Sequence, residues 1–381
     1  MVFTVEVKPF GAGKMIWLST NVLRVGLANF GATISSVKVF HPSKQQWIEV
    51  NCGFSQNPDE AEADTDYMGV TVGRCAGRIA HAKFKLDGRI YHTDKNMDCG
   101  HTCHGGVGAY HKKHWGYVVI QTHDVIGVKF NYTSPHMENG FPAELYNTVT
   151  YTIHKKTPNA LRTQLEACIT DSSPAEATPV NIFNHAYWNL NGVPERSGAM
   201  AADSDAVWKQ PKNVRNHWVR VPASRVAQAD RYAIPTGEYV DVSGTSLDFR
   251  QGRVLKDGMD DVKLLDRDPC GYDHPLAIDN WRKGKLILNG EAKSPVTNIR
   301  MKVYSTYPCM WVYSANNKKL PSSGKPGDRY ERWSGLGLEP QYFPDGANHY
   351  NKLPSCIIRR GKNHFSETMV NEFSVEGSAK M

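Results

Sequence analysis

Two side chains in short polar motifs, His185 and Glu339, have the types needed for proton transfer. His185 lies in Phe183–Gly192, which combines an imidazole with three amides, aromatic side chains and an Asn-Gly turn signal. Glu339 ends a short apolar alternation, so its carboxylate should project from the end of a strand. Partial burial there would raise its pKa towards the working range of a general base. The pair could therefore supply an acid and a base.

Three further clusters offer groups that could hold a polar ligand. Arg78 follows small residues that let a ligand approach the backbone, and its guanidinium carries several fixed donors. His104 precedes two glycines that permit a tight turn, so its ring could point into a pocket. Asp273 lies in a turn-like segment closed by Pro275. Two of these residues also have a structural interpretation, since Arg78 could cap a strand or pair with a surface carboxylate, and Asp273 could form an Asx-turn.

Aromatic faces beside amides and imidazoles are typical of carbohydrate sites. An aromatic ring covers the C–H side of a sugar, and fixed polar groups meet its hydroxyls. The segment around His185 has this composition. A strand end with one satisfied histidine would look the same.

The segment Cys99–Gly106 contains two cysteines and two histidines, which invites a zinc or haem interpretation. Three residues separate Cys99 from Cys103, whereas haem attachment has two, and no second Cys/His pair follows at finger-like spacing. The sequence also lacks a P-loop and a strand-linked dinucleotide fingerprint. We therefore expect no metal and no other cofactor.

Composition narrows the class of protein. The 381 residues are 40% hydrophobic and 10% aromatic, as in folded globular proteins. The net charge of +7 comes from lysines and arginines scattered along the chain, so no nucleic-acid surface is indicated. No apolar run reaches the roughly 18 residues of a membrane span. We expect no nucleic-acid or membrane partner.

Localisation signals are weak. The N-terminus lacks a basic segment followed by an apolar run, so a secretory signal is not expected, and the eight cysteines are most simply thiols of a reducing compartment. A cytoplasmic monomer or homodimer is expected. The C-terminal Ala379-Lys380-Met381 loosely resembles a peroxisomal tripeptide, although chance explains it better.

Period-two alternation predicts an all-β chain. Residues 115–170 read as an antiparallel meander, and further short runs occur at 22–40, 69–73, 284–289, 299–305 and 309–314. Helical windows are scarce, so we predict one domain over residues 1–381, a large twisted antiparallel β-sandwich. The segments 193–230, 255–270 and 315–332 are rich in Pro, Gly and charge and are predicted to be long loops.

These clusters occur in the order found in the aldose 1-epimerase (galactose mutarotase) family, which the chain resembles from about residue 29 to about residue 349. Individually the motifs are modestly specific, but five in order form a strong signal. The matching segments are Gly73-Arg74…Arg78-Ile79, His104-Gly105-Gly106, Asn184-His185…Asn189-Leu190, Gly271-Tyr272-Asp273-His274 and Leu338-Glu339…Gln341…Pro344-Asp345.

The resemblance implies a galactose mutarotase-like supersandwich that interconverts the α and β anomers of free hexoses without a cofactor. By motif position, Glu339 resembles the family's general base and His185 the acid that protonates the ring oxygen. Arg78, His104 and Asp273 would hold the sugar hydroxyls. Catalysis needs an ionised Glu339 and a protonated His185; their mutual field favours those forms, and burial opposes them.

Two positions depart from the family pattern. Gly77 stands where the family commonly has Asn, and Trp311 stands where many members carry Gln, ahead of Tyr313 and Asn316. The tryptophan could bind the sugar by stacking in place of an amide contact. Both changes bear on sugar preference more than on the chemistry.

Three other functions remain open. A glycosidase could use Asp273 and Glu339 as its two carboxylates, at a separation of roughly 5–10 Å. A non-catalytic sugar-binding paralogue would account for Gly77 and Trp311. A hexose-6-phosphate 1-epimerase would suit the net positive charge of the chain, although no cluster of arginines and lysines that could bind a phosphate is evident.

Overall fold

The computed structural model of the chain describes residues 2–54, 57–193, 213–261, 271–316 and 330–377. Within these ranges, no helix has both the length and the apolar character needed to span a membrane. The predicted C-terminal tripeptide signal, Ala379–Met381, lies outside the described residues.

Strands dominate the secondary structure. The strands of the first half are β1 (Phe3–Phe10), β2 (Gly13–Thr20), β3 (Leu23–Ala28), β4 (Thr33–His41), β5 (Gln46–Glu49), β6 (Asn51–Cys52), β7 (Thr71–Val72), β8 (Arg78–Ile79), β9 (Lys83–Leu86), β10 (Arg89–His92), β11 (Thr102–Cys103), β12 (Gly116–Gln121), β13 (Val125–Ser134), β14 (Leu145–His154), β15 (Thr157–Ile169), β16 (Ala177–Pro179), β17 (Phe183–Asn184) and β18 (Tyr187–Trp188). Those of the second half are β19 (Trp218–Arg220), β20 (Arg225–Ala229), β21 (Pro235–Asp241), β22 (Arg253–Val254), β23 (Asp273–Ala277), β24 (Ile287–Lys293), β25 (Ile299–Ser305), β26 (Cys309–Tyr313), β27 (Leu336–Gln341), β28 (Ile357–Arg359) and β29 (Phe365–Val375). The short helices are α1 (Pro58–Ala63), α2 (Lys256–Met259) and the 3₁₀ turns Ala80–Ala82, Tyr110–Lys112 and Glu138–Gly140.

Three large antiparallel sheets form the fold. β1 to β5 make a five-stranded sheet in chain order, a nine-stranded sheet has the order β12-β13-β14-β15-β29-β25-β24-β19-β22, and a seven-stranded sheet has the order β21-β20-β23-β26-β27-β18-β6. The predicted meander over residues 115–170 is confirmed as β12 to β15, each strand paired with the next. The predicted all-β antiparallel class is likewise confirmed.

One hydrophobic cluster joins side chains from all three sheets. It includes Val25 of the five-stranded sheet, Val149 and Leu165 of the nine-stranded sheet, and Val312 and Leu338 of the seven-stranded sheet. Side chains alternate between the two faces along each strand, so every second side chain points to this core.

The other face of the seven-stranded sheet carries the polar residues. Trp311 lies directly across from Glu339, and Tyr313 lies across from both Gly337 and Asp273. Neighbouring residues such as Val312 and Leu338 point to the core. One face of β23, β26 and β27 therefore gathers residues that are far apart in sequence.

The loop predictions were wrong in part. β19 and β20 fall within 193–230, and α2 falls within 255–270. Val219 and Val226 are buried there, and pairing with β24 and β23 fixes the backbone despite the polar composition of the region. Residues 194–212, 262–270 and 317–329 of those segments lie outside the described ranges.

Arg74, in the segment that follows β7, is a structural residue. Its guanidinium is fully buried and donates to the carbonyl oxygens of Pro142 at 2.6 Å and Ala143 at 2.9 Å, and to the Ser134 hydroxyl. These acceptors lie at the end of β13 and in the connection to β14. Arg74 thus ties the segment Gly73–Ile79 to the nine-stranded sheet.

Replacing Arg74 with Met should lower the free energy of unfolding by about 3 kcal/mol, because buried carbonyl groups lose a charged donor. Denaturant unfolding measures the change. The exposed Arg89→Met is the matched control and should stay within about 0.5 kcal/mol of the wild type. Equal stabilities for the two variants would contradict the structural role of Arg74.

Candidate active site

All six side chains singled out from the sequence line one cleft. Its volume is about 230 Å³, below the roughly 300–1,000 Å³ typical of pockets for drug-sized ligands, so it suits a small polar molecule. The lining residues are Thr65, Asp66, Tyr67, Gly77, Arg78, Met97, Cys103, His104, His185, Tyr187, Asp273, Trp311, Tyr313, Glu339, Gln341 and Pro344.

Short strands place the residues that do not come from the seven-stranded sheet. Arg78 of β8 pairs with Cys103 of β11, which puts His104 beside the guanidinium side of the cleft. His185 directly follows β17, which pairs with β7. The three basic side chains thus approach the carboxylate-bearing face from separate segments.

His185 and Glu339 face each other at the centre of the site. The imidazole Nδ1 lies 3.3 Å from the carboxylate Oε1, and the two side chains are 7% and 3% exposed. Gly337 leaves room for this carboxylate, because a Cβ at Gly337 would lie 2.6 Å from Glu339 Oε1. Gln341 donates to the other carboxylate oxygen at 3.4 Å.

Burial decides the protonation of this pair in the free protein. It lowers the pKa of His185 to about 4, although the charge of Asp273 acts in the opposite direction. It raises the pKa of Glu339 well above its usual range, and Asp273 adds to that shift. Of the two opposing effects weighed from the sequence, desolvation prevails and favours an uncharged imidazole beside a protonated carboxyl group.

His104 is fixed as a neutral donor. Its Nδ1 accepts a hydrogen bond from the Gly77 N–H at 3.3 Å, which leaves the ring proton on Nε2. Burial and the charges of His185 and Arg78 hold the pKa of His104 well below its usual range. Gly77 has φ 71°, and a Cβ there would lie 2.5 Å from Pro344 Cγ, so this backbone and Pro344 are closely fitted.

Trp311 positions Asp273. Its indole N–H donates to Asp273 Oδ1 at 2.7 Å, and both side chains line the cleft. Trp311 therefore supplies a hydrogen-bond donor in addition to a wall for the cleft. The stacking role expected from the sequence stays a prediction.

Aromatic side chains surround the histidines, and sequence reasoning missed most of them. Tyr67 packs at 4.6 Å from His104 and at 6.1 Å, nearly parallel, from His185. Tyr187 packs at 5.0 Å from His185. Tyr187 both packs in a small buried cluster and lines the cleft, whereas Trp188 lies in the main core.

The amides around His185 serve the fold. Asn184 donates to the Gly69 carbonyl at 2.6 Å, Asn189 donates to the Ser334 carbonyl, and Asn191 donates to the Asn213 carbonyl. The idea that they meet sugar hydroxyls is therefore wrong. Asp66, Tyr313 and Gln341 line the cleft instead, and no motif had singled out the first two for the site.

Within the part of the chain that the structure describes, no group of three or more His, Cys, Asp and Glu side chains is arranged to hold a metal ion. Cys103 lines the cleft, and burial raises the pKa of its thiol to about 11. The side chains that could do chemistry in the cleft are therefore acids, bases and hydrogen-bonding groups.

The chain belongs to the aldose 1-epimerase family, whose model matches residues 14–371. That family consists of isomerases. Among curated relatives, a human galactose mutarotase is 30% identical over 96% of each chain, and an Escherichia coli aldose 1-epimerase is 28% identical over 93% of this chain and 94% of its own.

Solved structures agree with this assignment. An aldose epimerase homologue from C. elegans superposes with a TM-score of 0.78 at 25% identity, covering 95% of this chain and 99% of its own. A galactose 1-epimerase from Lactobacillus acidophilus gives the same TM-score at 19% identity, covering 98% and 99%, and supports the fold alone.

The charge of Asp273 raises the pKa of His185, so Asp273→Asn should lower that pKa below about 4. Nitrogen-15 NMR of labelled histidine follows the titration, with the His185 signal assigned by its loss in His185→Asn. The exposed Asp87→Asn, at a carboxylate paired with Arg359, should leave the His185 titration unchanged. A His185 that titrates near its ordinary pKa of about 6.5 would contradict the effect of burial.

Proposed function

We propose that the protein is an aldose 1-epimerase that interconverts the α and β anomers of free hexoses such as galactose and glucose. The observation that carries the proposal is the buried His185–Glu339 pair, with Nδ1 and Oε1 3.3 Å apart in a cleft of about 230 Å³. Family membership and the names of the relatives support the same activity.

The reaction begins when the proton of the pair passes from Glu339 to His185. The carboxylate then takes the proton of the anomeric hydroxyl, and the bond between C1 and that oxygen becomes a carbonyl. The bond between C1 and the ring oxygen breaks, and the ring oxygen takes a proton from the imidazolium. Rotation about C1–C2 presents the other face of the aldehyde, and the same steps in reverse close the ring.

Arg78, His104 and Asp273 hold the sugar hydroxyls in this proposal. The guanidinium and the Nε2–H of His104 donate, and Asp273, oriented by Trp311, accepts. Among the described lining residues, Arg78 is the only lysine or arginine, whereas three carboxyl groups line the same cleft. This balance favours a free hexose over a sugar phosphate.

The whole chain, residues 1–381, is proposed to act as one domain, a β-sandwich, in the cytoplasm, as a monomer or homodimer. The core shared by three sheets supports the single domain. The seven free cysteines among the described residues suit a reducing compartment.

Glu339→Gln and His185→Asn should each slow the catalysed conversion of freshly dissolved α-glucose or α-galactose by about 10²- to 10⁴-fold, because each removes one proton-transfer group. Polarimetry against the uncatalysed rate gives the loss. Glu6→Gln on β1 and the exposed His123→Asn are matched controls and should keep the wild-type rate.

A Glu339→Gln variant with wild-type turnover would contradict the role of the carboxylate. A wild-type protein that binds hexoses without accelerating their mutarotation would be a sugar-binding paralogue. Release of reducing sugar from an aryl glycoside would instead indicate a glycosidase.

A further inference from the structure

Residues 65–67 form one wall of the cleft. The backbone of the segment Asp64–Met68 that contains them is held from several sides. Asp64 accepts hydrogen bonds from the N–H groups of Asp66 and Met68 at 3.0 and 2.7 Å. Lys112 donates to the Asp64 carbonyl at 2.6 Å, and the Tyr187 hydroxyl donates to the Asp66 carbonyl at 3.2 Å. The wall is therefore built before any ligand binds.

The side chain of Asp66 takes no part in this construction. Its Oδ2 is buried in the cleft wall and has no hydrogen-bond partner among the described residues, whereas both carboxylate oxygens of the neighbouring Asp64 are engaged. Asp64 thus represents a structural aspartate, whereas Asp66 lines the cleft with one carboxylate oxygen left unpaired among the described residues. An acceptor left unsatisfied in a preformed site is available to a ligand.

The surroundings make a negative charge on Asp66 costly. Burial and the charge of Asp64 raise the pKa of Asp66 to about 7. A cation placed beside the group would relieve that cost, and an anion would increase it. Asp273 and Glu339 line the same cleft, and Arg78 is the one guanidinium among the described lining residues.

We propose that Asp66 is a specificity-determining residue that binds an ammonium group, so that the cleft accepts amino-hexoses and discriminates against anionic hexoses. A charge-assisted hydrogen bond from an ammonium group to a carboxylate is stronger than one from a hydroxyl. The catalytic readout of this proposal rests on the proposed epimerase activity, but the binding readout does not.

The test compares three classes of sugar on the wild type and on Asp66→Asn, which keeps the shape of the side chain and removes its charge. The probes are glucose, its 2-amino and 6-amino deoxy derivatives, and glucuronate. Anomeric exchange by NMR gives kcat/KM, and calorimetry gives Kd. Asp66→Asn should lower the amino-hexose to glucose ratio of kcat/KM, and raise the same ratio of Kd, each by about tenfold for at least one amino derivative. It should also raise the relative affinity for glucuronate.

Ratios measured on one preparation cancel any difference in the folded fraction between variants. The exposed Asp59→Asn on α1 is the matched control and should leave all ratios unchanged. Unchanged ratios for both amino derivatives in Asp66→Asn would overturn the proposal, even where glucose turnover is normal. Absence of glucose turnover in the wild type would instead refute the proposed function, and the Kd ratios would still decide the role of Asp66.

Discussion

Removal of the His185–Glu339 pair from water is the constraint on which the rest of the site depends. A carboxylate and an imidazolium in water would keep their ordinary protonation states, whereas burial drives both towards their neutral forms. The pair then consists of a protonated Glu339 and an uncharged His185. In the proposed reaction, this is also the state that the pair reaches when the ring has opened. Desolvation therefore opposes the first transfer, from Glu339 to His185, and favours the transfers that open the ring. Closure on either face uses the same pair in reverse.

The fold supplies the dry, fixed surroundings that this chemistry needs. Register in the seven-stranded sheet sets Glu339 opposite Trp311, and Trp311 in turn holds Asp273. Tyr67 and Tyr187 both pack against the imidazole of His185. The aromatic walls and the neighbouring carboxylate act oppositely on His185, since burial lowers its pKa and Asp273 raises it. Substitutions among these aromatic side chains should thus change the pKa of His185 without altering the reacting groups themselves.

The sequence predicted the parts of the structure that repeat or carry motifs. Alternation located the meander over residues 115–170 and the strand at 299–305, because half-buried strands impose period two. Five of the site residues were predicted from short motifs in family order and Trp311 from a departure from the family pattern, and all six line one cleft. Their individual roles remain proposals.

Other features depend on tertiary contacts that no local pattern expresses. Tyr67 and Asp66 reach the cleft because Asp64, Lys112 and Tyr187 hold their segment, and none of these contacts is periodic. Likewise, β19 and β20 are strands because β24 and β23 offer partners. The last strand, β29, lies in the interior of the nine-stranded sheet and was not singled out, although Phe365–Val375 alternates in burial.

The central claim is that burial keeps the proton on Glu339 in the free protein. Infrared difference spectroscopy between the wild type and Glu339→Gln tests it directly, at about pH 8, where carboxyl groups with a pKa of about 7, such as those of Glu49 and Asp66, are ionised. The account predicts a protonated carboxyl C=O band in the wild type that is absent from the variant. A difference spectrum that contains only carboxylate bands would contradict it.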